Sequence, residues 1–155
     1  MEIERKYLVN KKLWQEMNNE DGDYIVQGYI TTDLNKTIRI RIWRSAAYMT
    51  IKGKTNNISR EEIEFPIPLD KATEIIRKFA EGIIKKIRYT IQFKGKTWEV
   101  DEFMGENEGL LLAEIELGSE NEPVELPQWI GKEVSYDNRY FNSMLMKNPF
   151  RHWPR

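Results

Sequence analysis

Apolar residues recur at every second position along most of the chain. In "TIRIRIW" Ile38, Ile40 and Ile42 alternate with Thr37, Arg39 and Arg41, and in "MTIKGK" Met49 and Ile51 alternate with Thr50 and Lys52. "SREEIEF" sets Ile63 and Phe65 against Arg60, Glu62 and Glu64, and "KKIRYTIQF" sets Ile87, Tyr89, Ile91 and Phe93 against Lys86, Arg88, Thr90 and Gln92. "TWEVD" opposes Trp98 and Val100 to Glu99 and Asp101; "LAEIEL" opposes Ala113, Ile115 and Leu117 to Glu114 and Glu116. The opening "MEIERKYLV" puts Ile3, Arg5, Tyr7 and Val9 on one face and Glu2, Glu4, Lys6 and Leu8 on the other. Successive side chains of an extended chain point to opposite faces. A period of two therefore predicts strands, each with one greasy and one ionised face.

Eight strands are predicted, near 1–9, 24–31, 37–44, 47–54, 59–66, 86–94, 97–104 and 111–117. "WRSAAYMTIKG" and "IQFKGKTWEV" read as hairpins, the second turning through Lys94-Gly95-Lys96, so the sheet is expected to be mainly antiparallel. Helices are predicted in "KKLWQEM", in "LDKATEIIRKFAEG" with Asp70 as N-cap and Gly82 at its end, and in "RYFNSMLMK". "GSENEPVELPQWIG" reads as a loop around a short turn, and no repeat or linker interrupts the chain.

With 155 residues, 40% apolar and 32% charged, the chain has the composition of one globular domain with a sizeable core. Lys and Arg number 24 against 25 acids, which argues against a general nucleic-acid binder. There is no Cys, so disulfides and thiolate metal sites are excluded and a reducing compartment is expected. No apolar run approaches the roughly 20 residues needed to cross a bilayer. The N-terminus is acidic where a secretory leader would be basic, so a cytoplasmic protein is expected. The single His, His152, sits in the terminal "PFRHWPR", leaving carboxylates, Lys, Arg and Tyr to carry any chemistry.

A solvated antiparallel sheet also alternates, and at this composition roughly four acid pairs spaced i, i+2 are expected by chance. The sorting by sign is what stands out: acid pairs at 2/4, 62/64, 99/101 and 114/116, basic pairs at 39/41 and 86/88, with Lys6 and Lys52 beside them. Two carboxylates about 7 Å apart on one strand face repel by roughly 2–3 kcal/mol at an effective dielectric near 20. Hard divalent cations such as Mg²⁺ or Mn²⁺ compensate carboxylates, and a phosphate chain compensates Arg and Lys. Metal plus polyphosphate satisfies both rows. If eight antiparallel strands close on themselves with their ionised faces inward, the fold is a charged tunnel. Its apolar exterior would be covered by helices carrying Ile75, Ile76 and Phe79, and Tyr140, Met144 and Leu145.

These residues resemble the CYTH superfamily, the triphosphate tunnel metalloenzymes. The Glu-x-Glu-x-Lys start (Glu2, Glu4, Lys6) is similar to its hallmark, followed in family order by "QGYI", "TIRIRIW", "AYMTIKGK", "SREEIEFPIP", "KKIRY", "WEVDEFMGENEGLLLAEIEL" and "EVSYDNRYFNSML". One departure is "TNNIS" where a Gly is expected in the loop before "SREEIEF".

The resemblance implies a single-domain (1–155) closed eight-stranded antiparallel β-barrel that binds triphosphate with a divalent metal, Mg²⁺ or Mn²⁺, and typically hydrolyses it; with no appended domain or obvious nucleobase clamp in the sequence, inorganic triphosphate is the expected substrate. Glu2, Glu4, Glu114 and Glu116 are implied as the main metal cradle, with Asp101 assisting; Lys6, Arg39, Arg41, Lys52, Lys86 and Arg88 are implied as phosphate ligands. Glu62, Glu64 and Glu99 are implied to hold a second metal or orient the attacking water. Tyr29 is implied to hydrogen-bond near Lys6 in the catalytic set, and Arg139 to close one mouth on the phosphates. Thiamine triphosphate, nucleoside triphosphates and cyclisation of ATP use the same grip and stay open, as does a non-catalytic polyphosphate-binding module. The partner expected is a small triphosphate, with neither nucleic acid nor membrane, on a monomer or homodimer. Trp43 and Tyr48 are read either as an entrance lining or as exterior packing.

Overall fold

The computed structural model describes residues 1–17, 19, 21–33 and 35–154. Its elements run β1 (Glu2–Val9), α1 (Lys11–Glu16), β2 (Asp23–Asp33), β3 (Lys36–Trp43), β4 (Ala46–Gly53), β5 (Ser59–Arg60) and β6 (Glu62–Ile67). After these come α2 (Leu69–Phe79), β7 (Gly82–Phe93), β8 (Lys96–Phe103), β9 (Leu111–Glu116), β10 (Ile130–Glu133) and α3 (Asn142–Lys147). Strand pairing is antiparallel throughout, in the order β10-β1-β9-β8-β7-β2-β3-β4-β6, with β5 beside β1.

Both expected hairpins form, and their turn residues show why. Arg44 and Ser45 join β3 to β4 with φ of 55° and 61°, and Lys94 and Gly95 join β7 to β8 with φ of 48° and 79°. Two successive positive φ values match the right-handed twist of the flanking strands. β2 bends where its register with β3 shifts between Tyr29 and Thr31.

The closed eight-stranded barrel is corrected on two counts. The described strands number ten, because "IGKE" in and after the expected loop forms β10, where Ile130 pairs with Val9, and because the run at 59–66 breaks at Glu61 into β5 and β6. The hydrogen-bonded path is also open: β6 pairs with β4 alone, and only the two residues of β5 (Glu2↔Arg60, Ile3↔Ser59) bridge to β1. The Glu61 carbonyl accepts from the Gly53 N–H at 3.0 Å, so the chain leaves the β4 edge there and turns towards β1.

The greasy faces point outward and are covered, as the alternation requires. Trp14 of α1 packs with Tyr7, Trp98 and Trp129; Leu145 of α3 packs with Ile84, Phe103 and Leu112; Ala72 and Ile76 of α2 pack on Ile40 and Ala47. A Cβ on Gly28 would stand 2.9 Å from Ile76 Cγ1, so glycine there lets α2 lie close on the sheet. Phe79 is exposed rather than covering the sheet, and Ile63 and Phe65 on the edge strand β6 are exposed too. The N-cap of α2 is Pro68, not Asp70, which instead places a carboxylate in the first turn against the helix dipole. The helix stops at Phe79, and Gly82 begins β7. The C-terminal helix is shorter than expected: Asn138–Tyr140 form a 3-10 turn before α3. Among the described residues no helix is long and apolar enough to cross a membrane.

Candidate active site

Alternation fixes which side chains share the concave face, and the pairing fixes their neighbours. Glu4 of β1 faces Glu116 of β9, Lys6 faces Glu114, and Glu114 in turn faces Glu99 of β8. Across the cavity Arg39 and Arg41 of β3 lie beside Thr50 of β4 and Gln27 of β2, and Lys52 lies between Thr37 and Glu62. These strands enclose a cavity of about 180 Å³, entered at one end by Phe141, Asn142 and Ser143 from the start of α3.

Seven bases (Lys6, Arg39, Arg41, Lys52, Arg60, Lys86, Arg88) and seven acids (Glu2, Glu4, Glu62, Glu64, Glu99, Glu114, Glu116) line it. The acids already engage the bases. Lys52 Nζ lies 3.0 Å from Glu2, Arg60 Nε 3.5 Å from Glu2, Lys6 Nζ 3.6 Å from Glu114, and Arg88 Nη1 3.2 Å from Glu99. The buried Nε of Arg39 and Oε2 of Glu62 have no hydrogen-bond partner.

Burial and the neighbouring Glu114 and Glu2 push the Glu4 carboxyl up to about 8. Burial would raise Glu114 as well, but Lys6, Arg88 and Lys86 reverse it and hold Glu114 well below the usual range while it shares a hydrogen bond with Glu4. Glu62 is pushed up to about 7 by burial and by its hydrogen bond with Glu2. Glu2 stays low, because Lys52 and Arg60 outweigh its burial. Among the bases, burial and the like charge of Arg88 push Lys86 down to about 7, and burial with Arg39 and Arg88 pushes Arg41 down to about 9.

Among the described residues no three acids stand close enough to hold a cation as arranged. The donor chemistry nevertheless fits a hard dication. Glu4 with Glu114, and Glu2 with Glu62, are carboxyl pairs close enough to share a proton, and a cation that takes carboxylate oxygens would displace that proton.

Two expected site residues lie elsewhere. Asp101 faces the same side as Glu99 but is covered: Arg88 binds both its oxygens at 2.8 and 2.9 Å and Lys86 binds one at 2.8 Å, so it anchors two bases and does not line the cavity. Arg139 is exposed, chelated by Asp137 at 2.6 Å and stacked 4.7 Å from the Trp153 ring, away from the cavity. Tyr29 lines the cavity, but its hydroxyl accepts from Gln27 Nε2 at 2.9 Å, while Lys6 Nζ donates to the Tyr140 carbonyl at 3.3 Å. Trp43 lines the mouth and Tyr48 a cleft outside it.

Arg60, Thr37, Thr50, Gln27, Phe141 and Asn142 are site residues beyond those expected from the sequence. Arg60 carried a signal, since it alternates in phase with Glu62 and Glu64. The uncharged residues carried none. Two cations approach the Phe141 ring, Lys6 Nζ at 5.5 Å and the Arg60 guanidinium at 5.6 Å.

Comparison with known proteins places this geometry. Residues 1–144 match the CYTH domain model. The chain is 46% identical over 153 residues to an inorganic triphosphatase of Acetivibrio thermocellus, covering 98% of this chain and 97% of that protein. It is 33% identical to an inorganic triphosphatase of Nitrosomonas europaea, covering 93% and 95%. The crystal structure of the inorganic triphosphatase NE1496 superposes with a TM-score of 0.66 at 29% identity, over 94% of each chain. A putative adenylate cyclase from Bacillus halodurans shares the fold, with a TM-score of 0.61 at 17% identity over 77% of this chain and 82% of that one. With the family model spanning nearly the whole length, this chain belongs to the CYTH domain family.

Proposed function

We propose that the chain is an inorganic triphosphatase that binds tripolyphosphate in the charged cavity and hydrolyses a terminal anhydride. Water oxygen bonds to the terminal phosphorus, one P–O–P bond breaks, and diphosphate, phosphate and a proton are released. The observation that carries this reading is the balance of seven bases and seven acids around one small cavity. A polyanion entering alone would leave that space strongly negative. A polyanion with divalent cations would leave it near neutral, with the bases on phosphoryl oxygens and the acids on metal. Seven bases in so small a volume also exceed what one monophosphate needs.

Glu4, Glu114, Glu2 and Glu116 are the residues that would hold Mg²⁺ or Mn²⁺, which would neutralise phosphoryl charge and stabilise the leaving diphosphate. Arg39, Arg41, Lys52, Lys86, Arg88, Lys6 and Arg60 orient the phosphate chain. Arg39 Nε, buried and without a partner, is a donor held in reserve for a phosphoryl oxygen. Glu62 is better placed than Glu64 to take the proton of the attacking water: its carboxyl is pushed up to about 7, and its Oε2 accepts no hydrogen bond, with only the Lys52 ammonium 3.8 Å away. Glu64 accepts from Thr50 at 2.6 Å and is more exposed. Asp101 acts behind the lining by fixing Lys86 and Arg88.

Trp43 supports a bare inorganic substrate. Its ring is engaged by the Arg44 guanidinium at 5.1 Å and the Arg88 guanidinium at 5.4 Å, and its Nε1 donates to Asp23, so a nucleobase would have to compete with two cations to stack on it. The absence of Cys from the chain suits a reducing cytoplasm, and a charged cavity lined wholly from within one chain suits a monomer or a homodimer. The test is phosphate release from tripolyphosphate, thiamine triphosphate and ATP, each with Mg²⁺ and with Mn²⁺. Tripolyphosphate is expected to turn over fastest. Faster turnover of an organic triphosphate, cyclic AMP formation, or binding without hydrolysis under either metal overturns the assignment.

A further inference from the structure

We propose that Gln27 is a positioning residue for triphosphate recognition: with Asn142 it forms an uncharged amide relay that sets Arg41 and Lys86 against the same phosphate chain. This rests on the triphosphatase reading and concerns residues behind and beside the bases.

Gln27 is fully buried on β2 and does not itself line the cavity. Its Oε1 accepts from Arg41 Nε at 3.0 Å, and its Nε2 donates to the Tyr29 hydroxyl and to Asn142 Oδ1, both at 2.9 Å. Asn142 Oδ1 accepts a second bond from Lys86 Nζ at 2.8 Å. The chain of bonds therefore runs Arg41, Gln27, Asn142, Lys86, joining β3, β2, α3 and β7. Its direction is forced. Flipping either amide would set NH₂ groups against the N–H donors of Arg41 or Lys86, leaving buried donors unpaired.

The chemistry of the relay differs from that around it. Arg88 is held by Asp101 and Glu99, and Lys52 by Glu2 and Glu62, so those bases are oriented by carboxylates that also cancel their charge. Among the described residues Arg41 has no ion pair, and Gln27 is its one hydrogen-bond partner. An amide oxygen fixes the Nε end of the guanidinium without neutralising it, leaving Nη1 and Nη2 for phosphoryl oxygens. In its charged form Lys86 has three protons: one goes to Asp101 and one to Asn142, which leaves one for the cavity it lines. The Tyr29 hydroxyl, accepting from Gln27, keeps its own proton to donate. One neutral amide thus settles three donors at once, and through Asn142 it ties the start of α3 to the substrate-binding wall.

The experiment is a double-mutant cycle on tripolyphosphate hydrolysis with Mg²⁺, with Gln27→Leu and Arg41→Ala alone and together. Gln27→Leu is expected to lower kcat/KM by about 10- to 100-fold, the range typical of residues that orient a liganding group. The combined loss should fall well short of the product of the single losses, because Gln27 has nothing to position once Arg41 is gone. Gln27→Glu should not rescue, since its charge cancels that of Arg41 and repels Asn142 Oδ1. Where Gln27→Leu does not fold, judged by its melting transition, Asn142→Ala with Lys86→Met is the equivalent cycle, and it carries the same expectation. Losses that multiply independently, or a Gln27→Leu enzyme with unchanged kcat/KM, overturn the relay while leaving the triphosphatase reading standing. A wild-type chain that releases no phosphate from tripolyphosphate overturns that reading and the relay with it.

Discussion

Glu4 and Glu116 lie directly opposite one another on β1 and β9, and both face the cavity. Opposed residues in an antiparallel pair have Cβ atoms about 4.5–5.5 Å apart, where like charges are destabilising. The fold tolerates that arrangement next to Glu114 and Glu99, themselves opposed, so the acids are grouped at a cost in stability. Replacing either Glu4 or Glu116 by Gln keeps the shape and removes the charge of a carboxylate proposed to hold the metal. Metal-dependent hydrolysis should fall by about 10²-fold or more in each variant, the order seen when one preorganised charge-stabilising group is lost. The folded state should be retained, as checked by thermal melting. Full turnover in both variants would dismiss the cradle.

The raised Glu4 carboxyl gives that relief a pH dependence. In the folded chain it titrates near 8 against an ordinary 4.5, so the native state holds the proton more tightly than the unfolded chain does. Its contribution to stability is complete below 4.5 and is lost as pH rises towards and through 8. Glu62, pushed up to about 7, acts in the same direction, while Glu2, Glu114 and Asp101 are lowered and act on the acid side of 4.5. Lys86, depressed to about 7, begins to add stability only above that pH. The clean window is therefore pH 5 to 7, where the melting temperature of the metal-free wild type should decline. Glu4→Gln should flatten that decline and be more stable than wild type at pH 7 by about 1–3 kcal/mol. Parallel wild-type and Glu4→Gln melting curves across the window would show that Glu4 is not the group responsible.

Cation binding should mirror this titration. A dication binding the ionised form of Glu4 must displace a proton that the protein holds up to about pH 8. Calorimetric titration with Mn²⁺ at pH 5.5 and 7.5 should show an affinity gain of about tenfold or more at the higher pH, with proton release that depends on buffer ionisation enthalpy. In Glu4→Gln the pH dependence should shrink. An affinity independent of pH in the wild type would place the cation away from Glu4.

The same two-period logic shows what the sequence could reveal. A period of two leaves little freedom: once Ile40 is outside, Arg39 and Arg41 are inside, and the whole charged row of each strand follows. The rows of β1, β3, β4, β6, β7, β8 and β9 were legible for that reason. Asp101 was placed on the correct face, yet its role depends on cross-strand pairing: it stands opposite Arg88, whose guanidinium consumes its oxygens. Arg139 shows the same limit, because nothing in "DNRY" reveals that Asp137 chelates it. Gln27 and Asn142 were silent because an amide carries no charge to sort. β10 was missed because four residues beside Pro127 and Trp129 show no alternation, and its strand state comes from the free edge of β1.

Asp101 is 1% exposed and stands against two cations that are almost as buried, Lys86 and Arg88. Asp101→Asn keeps the volume and removes the one carboxylate that, among the described residues, holds both. Breaking a buried pair from one side costs about 3–5 kcal/mol, because it leaves uncompensated charge behind. In a chain of this size that is a drop in melting temperature on the order of 10 °C. Tripolyphosphate should recover more stability in this variant than in wild type, since it supplies the missing negative charge from the cavity side. A variant as stable as wild type would mean that Lys86 already folds in uncharged and that Glu99 alone suffices to compensate Arg88.

Trp43 joins the wall of the cavity to its mouth. Its indole N–H donates to Asp23 at 3.0 Å, Arg44 Nε bonds the same carboxylate at 2.6 Å, and the Arg44 and Arg88 guanidiniums both stack on the ring. The indole thus occupies the space at the mouth and holds Arg88 in place at the same time. Trp43→Ala removes both effects. Tripolyphosphate turnover should drop modestly as Arg88 loses its stacking partner, retaining the Asp101 bonds that fix its Nε and Nη2. Opening the mouth should favour triphosphates that carry an organic tail, raising the ratio of kcat/KM for ATP over tripolyphosphate by about tenfold, the scale of losing or gaining one packed group in a pocket. The ratio is the informative quantity, because damage to the shared phosphate grip lowers both substrates equally and leaves it unchanged. An unchanged ratio would therefore assign Trp43 to holding Arg88 alone, and selection against organic triphosphates would have to come from the α3 end, where Phe141 and Asn142 stand.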